Sequence, residues 1–378
     1  MAKAKPITIV GGGLAGLTLG IALRQRGVAV TICEAGNYPR HRVCGEFISG
    51  RGQATLARLG LHELLEQAGA VRAQTAAFFS ATKSTAPRPL PSAAICLSRF
   101  TLDAALAEKF RGLDGELQTG TRWPGVGVHA GVHALACSDR LKPELQLEGI
   151  VRATGRRAEA GENDTRWFGL KIHARNVALA AGLEMHVSPR GYVGLCKING
   201  GEVNVCGLFR VPVRTGEFGV RSSHSALRVP HSAFPRDWLR GQPGSPLRQR
   251  LAEAEFDEDS FCAVAGLSLS PQQAASRAEI CVGDAITMIP PVTGNGMSMA
   301  FESAELAVAP LAAWSRGEIS WDEARQKIAR DCDAVFARRL AWAKWLQRVL
   351  LTPALQNPLV TLAARSDWFW RMAFERTR

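Results

Sequence analysis

The 378-residue sequence lacks several features that would direct it to other classes. None of its nine cysteines forms a C-x-x-C pair and their spacing is irregular, so they read as reduced thiols of a cytoplasmic protein. No basic leader with an apolar core and a cleavage site precedes the first apolar run, and no export signal is expected. No hydrophobic stretch of membrane length stands uninterrupted. The nearest, Ile7 to Leu23, contains Gly11-Gly12-Gly13 and is followed by Arg24 and Arg26, which marks a buried βα unit. His129 and His133 are four apart, but Gly131 lies between them and no Glu stands beside the first, so no metal site is expected. The formal charge is +12, yet the arginines are scattered and no nucleic-acid module is present. Anionic dinucleotides, an acidic membrane surface or a generally basic exterior account for the charge better than nucleic acid does.

What is present begins at once. Ile7-Thr8-Ile9-Val10 is a short β-branched run that delivers into Gly11-Gly12-Gly13-Leu14-Ala15-Gly16, with the spacing G-x-G-x-x-G. Gly11 supplies a backbone conformation closed to other residues, Gly13 lets a pyrophosphate approach the main chain, and Gly16 lets the helix pack on the strand. A helix from about Leu14 to Arg26, opened by Leu14 and Ala15, aims its free N–H groups at the phosphates. Gly27 stops it, and Val28 to Cys33 forms a second strand ending at Glu34, placed to hold a ribose diol.

Further along, Arg40 to Ser49 is a cation-rich loop. Gly52 to Leu65 reads as helix with a break near Gly60. Ala76–Phe79 and Ile95–Leu97 belong to two strands joined by a loop holding Pro87, Pro89 and Pro91. A helix follows from Ser98, with Thr101 as its cap. Gly115 to Glu148 is hard to read. Ile150 to Arg156 is a buried strand ending in a glycine turn, and 167–173, 185–187, 192–196 and 203–209 form successive antiparallel strands, the last two joined through Asn199-Gly200-Gly201. Residues 212 to 260 are polar and partly helical. A short strand at Glu279–Val282 runs into Gly283-Asp284, and Gly294-Asn295-Gly296-Met297 stands before another helix. From Trp321 the chain is helical, basic and aromatic, a pattern shared by packed helices and by surface-bound ones, and peripheral membrane contact is one expectation it carries.

Four separated motifs in this order resemble the FAD-binding flavoproteins typified by p-hydroxybenzoate hydroxylase, especially the geranylgeranyl reductase branch. The resemblance implies an α/β fold: a Rossmann-like FAD-binding domain with an inserted antiparallel-sheet substrate domain and C-terminal helices. Residues 1–75, 98–160 and 275–325 are expected to form the first, 76–97 and 161–274 the second, and 326–378 a C-terminal helical segment. It implies that Gly11, Gly13, Leu14, Ala15, Gly16 and Glu34 hold the pyrophosphate and ribose of FAD. Arg99, in Arg99-Phe100-Thr101-Leu102-Asp103, lies near the pyrophosphate and Asp284 meets the ribityl hydroxyls. Gly283 completes the G-D pair, and Gly294, Asn295, Gly296 and Met297 face the flavin pyrimidine edge. Arg42, Cys44 and Gly45, in Arg42-Val43-Cys44-Gly45-Glu46, lie beside the flavin.

Two elements depart from the pattern. The D-G element that hydroxylases use is replaced by Ala153-Thr154-Gly155-Arg156, and a Y-x-W-x-F-P signature is only partly echoed by Tyr192 to Lys197. The leading expectation is an FAD-dependent oxidoreductase that reduces a carbon–carbon double bond of a small lipophilic, isoprenoid-like substrate, with hydride from reduced N5 and a proton from Cys44 or an ordered water; Arg40 and Arg42 favour a Cys44 thiolate, and the alternative is a thiol that only packs against the cofactor. NAD(P)H or another donor would supply the electrons. The alternative is a monooxygenase acting through a flavin C4a-hydroperoxide on an aromatic or alkene substrate. Halogenation ranks below both, since there is no W-x-W-x-I-P element and Lys83 sits in a loop. A third alternative is a non-catalytic flavin-binding protein of the membrane surface.

Overall fold

A computed structural model describes residues 4–123, 148–156, 165–212, 236–267, 269 and 271–376. In chain order, β1 is Ile7–Val10, α1 Leu14–Arg24, β2 Val30–Cys33, β3 Phe47–Ile48, α2 Gly50–Arg58, α3 His62–Gln67, β4 Val71–Phe79, β5 Arg88–Cys96 and α4 Arg99–Arg111. There follow β6 Glu116–Gln118, β7 Ile150–Arg152, β8 Thr165–Arg175, β9 Leu183–Ser188, β10 Gly191–Lys197, β11 Val203–Pro212, α5 Asp237–Arg240, α6 Pro246–Arg250, β12 Glu255–Ala265 and β13 Ile280–Cys281. Four helices complete the chain: α7 Gly296–Ser315, α8 Trp321–Leu350, α9 Pro353–Arg365 and α10 Asp367–Glu375.

The strands form two sheets. A parallel one has the order β13-β7-β1-β2-β6, and an eight-stranded one the order β12-β8-β11-β10-β9-β4-β5-β3. In the parallel sheet Ile7 pairs with Val30 and Thr8 with Ile150, which sets the end of β1 in the middle of the layer. Helix α1 is apolar all round because it is buried all round, with Leu17, Leu19, Ile21 and Leu23 each fully enclosed. Burying each such side chain stabilises the fold by about 1.5–3 kcal/mol.

The eight-stranded sheet separates its two faces by simple alternation. Leu170, Ile172, Val193, Leu195, Val205 and Phe209 pack beneath Leu239, Leu247 and Leu251 from α5, α6 and the residue that follows. Lys171 and His173, alternating with these on β8, face the other way, toward the loop before β3. Strand β3 contributes only the pairs Phe47 with Cys96 and Ile48 with Ile95, so the cation-rich loop ends inside the second sheet.

Three local expectations are corrected. Pro89 and Pro91 lie inside β5 rather than in a loop. A strand tolerates them because β3 covers only its last two residues, leaving the proline side without a ladder to complete. The cap of α4 is Ser98, whose side chain accepts from the Thr101 amide, rather than Thr101. Part of the polar stretch before residue 260 is strand, since β12 adds to β8 with its charged side chains Glu255, Asp257, Glu258 and Asp259 left exposed. Gly60, at φ +68, makes the expected break between α2 and α3. His129 and His133 lie outside the described residues.

Helix α8 opens with a capping box in which Ser320 and Glu323 satisfy each other's backbone N–H groups. At the end of the chain Phe369 and Trp370 are buried, and the Trp370 indole N–H donates to the Pro89 carbonyl at 2.8 Å; Trp368 is 71% exposed. No helix among the described residues is long and apolar enough to cross a membrane.

Candidate cofactor and active site

The ends of β1, β2 and β7 and the starts of α1 and α7 border one cavity of about 940 Å³ that continues onto the face of the eight-stranded sheet. Gly11, Gly13, Leu14, Ala15, Glu34, Arg42, Cys44, Gly45, Arg99, Gly283, Asp284, Gly294, Gly296 and Met297 all line it. Gly16 and Asn295 stand behind its wall. A Cβ on Gly16 would come within 2.0 Å of the Gly11 carbonyl oxygen, so that glycine seats α1 on the turn. Asn295 is buried at the start of α7 and accepts from the Ser49 hydroxyl at 2.7 Å, which ties the turn to α2. Gly11 has φ +110, as the turn requires, while the Cα of Gly13 has open space around it.

Glu34 is held on three sides. The Gly12 N–H donates to it at 2.8 Å, the Gly36 N–H at 2.9 Å and the Arg40 guanidinium at 2.9 Å. Burial would raise its pKa, but the bonds from Arg40 and Gly36 outweigh that and keep it below the usual carboxylate range. Arg42 is less well served: burial and its neighbours Arg40 and Arg99 lower its pKa, and its Nε has no hydrogen-bond partner. Burial also works against the charge of Arg99, and the two oxygens of Asp103, at 2.7 and 2.8 Å, more than offset this.

The residues fit FAD. Three arginines with an orphaned Nε beside a glycine turn at a helix N-terminus form a cradle that an anionic pyrophosphate would neutralise. Asp284 makes no hydrogen bond or ion pair with the described residues, and burial raises its pKa despite Arg156 and Arg99. A hydroxyl-bearing chain lying in the cavity would supply what this carboxyl lacks. Gly296 and Met297, at the start of α7, present unsatisfied backbone N–H groups to the same space.

Cys44 lines the cavity, but not as the thiolate expected from Arg40 and Arg42. Burial pushes its thiol up, and the neighbouring Arg99 and the Glu46 N–H, 3.4 Å from its sulfur, only partly offset this. Lys83 is exposed in the turn between β4 and β5, away from the cavity. The lining cations among the described residues are all arginine: Arg40, Arg42, Arg99, Arg122, Arg152 and Arg156. Beyond the cradle the walls become apolar, with Phe78, Leu183, Met185, Leu208, Val264, Leu267, Met288, Val292 and Phe374.

Sequence reading missed a buried group beside Cys44. The fully buried Glu46 accepts from the Arg99 N–H at 2.9 Å, meets the His173 Nε2 at 2.7 Å and lies 3.5 Å from the Lys171 Nζ. The signal was a lysine and a histidine two apart in the otherwise apolar run Trp167–His173, hence on one face of a strand.

Comparison with known proteins agrees with this geometry. The FAD binding domain family matches residues 4–148. Over 94% of this chain and 89% of the relative, the sequence is 22% identical to a 1H-pyrrole-2-carbonyl-[peptidyl-carrier protein] brominase of Pseudoalteromonas luteoviolacea (strain 2ta16). Squalene epoxidase 4 of Arabidopsis thaliana is 27% identical over 45% of this chain and 31% of its own length. Among solved structures, the flavin-dependent brominase Bmp2 superposes with TM-score 0.69 at 16% identity, covering 99% of this chain and 93% of its own. PqsL, a probable FAD-dependent monooxygenase from Pseudomonas aeruginosa, gives TM-score 0.65 at 16% identity over 94% and 99%. The protein is thus a flavoenzyme with an FAD-binding domain. The family match lies in residues 4–148, and the fold of the chain as a whole is shared with Bmp2 and PqsL.

Proposed function

We propose that the protein is an FAD-dependent monooxygenase that places one atom of O₂ into a small, neutral, lipophilic aromatic or alkene substrate, with NAD(P)H or another donor supplying electrons. The observation that carries this reading is the continuity of the arginine-lined cradle with an apolar chamber walled by Phe78, Met185, Leu208, Met288 and Phe374. Relatives named as a monooxygenase and an epoxidase support it, whereas none of those described above is named as a reductase of carbon–carbon double bonds. The reductase expectation therefore gives way to its alternative. Two relatives are named brominases, but no lysine lines this cavity among the described residues, which favours oxygen transfer over halogenation.

Bound FAD, once reduced, would supply two electrons and the centre at which O₂ is activated. The chain's own residues do the rest. Arg42 and Arg99 would neutralise the FAD pyrophosphate, Asp284 would orient the ribityl chain, and the first N–H groups of α7 would favour negative charge at the end of the cavity they face. The apolar walls hold the substrate by burial and keep bulk water out.

The test is turnover of FAD-loaded protein with NADPH under ¹⁸O₂ and a panel of neutral aromatics and terpenoid alkenes. A product carrying one ¹⁸O per substrate consumed is expected. Product that forms without oxygen, or that requires bromide, would overturn the reading.

A further inference from the structure

The loop before β3 is fastened to β8 by ionisable groups that cofactor binding does not use. Glu202, just ahead of β11, keeps about a fifth of its side chain in solvent and pairs there with Arg175 at 3.0 Å. Its Oε2 lies 3.3 Å from the His173 Nδ1, and the other nitrogen of that ring, Nε2, lies 2.7 Å from the Glu46 Oε2. Glu46 lines the cavity next to Cys44. One imidazole thus spans two carboxylates, the outer one wet and the inner one dry.

The groups around the imidazole are few. Lys171 faces Glu46 from the same strand, with its Nζ 3.0 Å from the His41 Nδ1. His41 meets His173 edge-on at 5.2 Å and stacks on Phe100. From β12, Ser260 accepts from the His173 N–H at 2.7 Å and donates to the Asp257 carbonyl, and the Asp257 carboxyl is the remaining acid nearby. Glu46 itself sits at φ +56, in the left-handed region that non-glycine residues rarely adopt. Residues held in such conformations cluster at functional sites.

We propose that Glu202, His173 and Glu46 form a proton relay from solvent to the wall of the flavin cavity. A proton arriving on Glu202 passes to Nδ1 of His173. The ring releases the proton on Nε2 to Glu46, so His173 ends as the other tautomer with no net change in charge, and its return resets the wire. Lys171 and the Arg99 N–H keep the inner carboxylate compensated while it waits. In the monooxygenase reading the relay would balance proton demand in the cavity. The geometry of the wire does not depend on that use.

The decisive measurement uses the full chain labelled with ¹⁵N-histidine, without cofactor or substrate, and follows exchange of the His173 ring N–H with water by NMR. Glu202→Gln should slow that exchange at least tenfold while leaving backbone amide exchange unchanged, and Glu202→Asp should restore most of it. Glu46→Gln tests the inner end: FAD-loaded, photoreduced protein mixed with O₂ should lose its solvent deuterium isotope effect on reoxidation. In that step FADH⁻, O₂ and H⁺ give FAD and H₂O₂. Unchanged ring exchange in Glu202→Gln would overturn the relay even if the protein proves to be a monooxygenase. An intact relay with no ¹⁸O-labelled product would sink only the function.

Discussion

Arg339 donates through both terminal nitrogens to the two oxygens of Glu302, at 2.8 and 2.9 Å, in a contact that joins α8 to α7 and leaves both side chains almost without water. The pair ties α8 to the helix whose first turn borders the cofactor cavity. Removing one partner leaves a buried charge unpaired. Arg339→Leu alone should therefore cost about 3–5 kcal/mol in denaturant unfolding. The double variant Glu302→Met with Arg339→Leu should recover most of that loss, because a buried ion pair adds little over well-packed apolar groups.

Asp284 offers a cleaner separation of binding from stability. Its carboxyl borders the cavity, burial raises its pKa, and it finds no partner among the described residues. Asp284→Ala should leave the melting temperature of the cofactor-free protein unchanged or higher. FAD affinity should fall at least tenfold, a loss of about 1.4 kcal/mol, which titration calorimetry would read directly.

The Cys44 thiol should be slow. Burial holds it protonated at neutral pH, and the compensating Arg99 is already engaged by Asp103. Alkylation by iodoacetamide at pH 7.5, followed by mass spectrometry of the Cys44 peptide, should run at least an order of magnitude slower than for an unhindered thiol. FAD loading should slow it further.

Acid should weaken the fold in two stages. Burial, aided by Lys171, pulls the His41 pKa down to about 4 from 6.5. Between those values the unfolded chain binds a proton that the folded protein refuses, so stability is complete above about pH 6.5 and falls as the pH drops toward 4. Glu46 has its pKa lowered because the bond from His173 and the charge of Lys171 outweigh burial. Its contribution is present above the usual carboxylate value and disappears only at still lower pH. His41→Phe, which retains a ring against Phe100, should flatten the first stage and leave the second, as chemical unfolding at a series of pH values would reveal.

The opening strand, turn, helix and second strand were legible because their signals are local. The β-branched run Ile7–Val10, the glycine spacing and Glu34 lie within 28 residues, and the structure brings them together as read. The turns at Gly283 and Gly294 were legible for the same reason. What escaped depends on tertiary context. Pro89 and Pro91 look like loop residues until the partner strand is seen to be too short to need their N–H groups. The role of Lys171 and His173 depends on Glu46, more than a hundred residues earlier, and no local pattern announces that meeting. The thiol of Cys44 was read from its charged sequence neighbours, whereas desolvation in the fold decides its state.

The two prolines of β5 have an effect beyond their own strand. Where β3 stops short, a row of free donors along β5 would invite another chain to lie alongside, and here Pro89 and Pro91 bring no N–H while the Pro89 carbonyl is taken by Trp370. The sheet has been given an end. Concentrated solutions should resist fibril growth through this margin, and Pro89→Val with Pro91→Val should be the substitutions that open it.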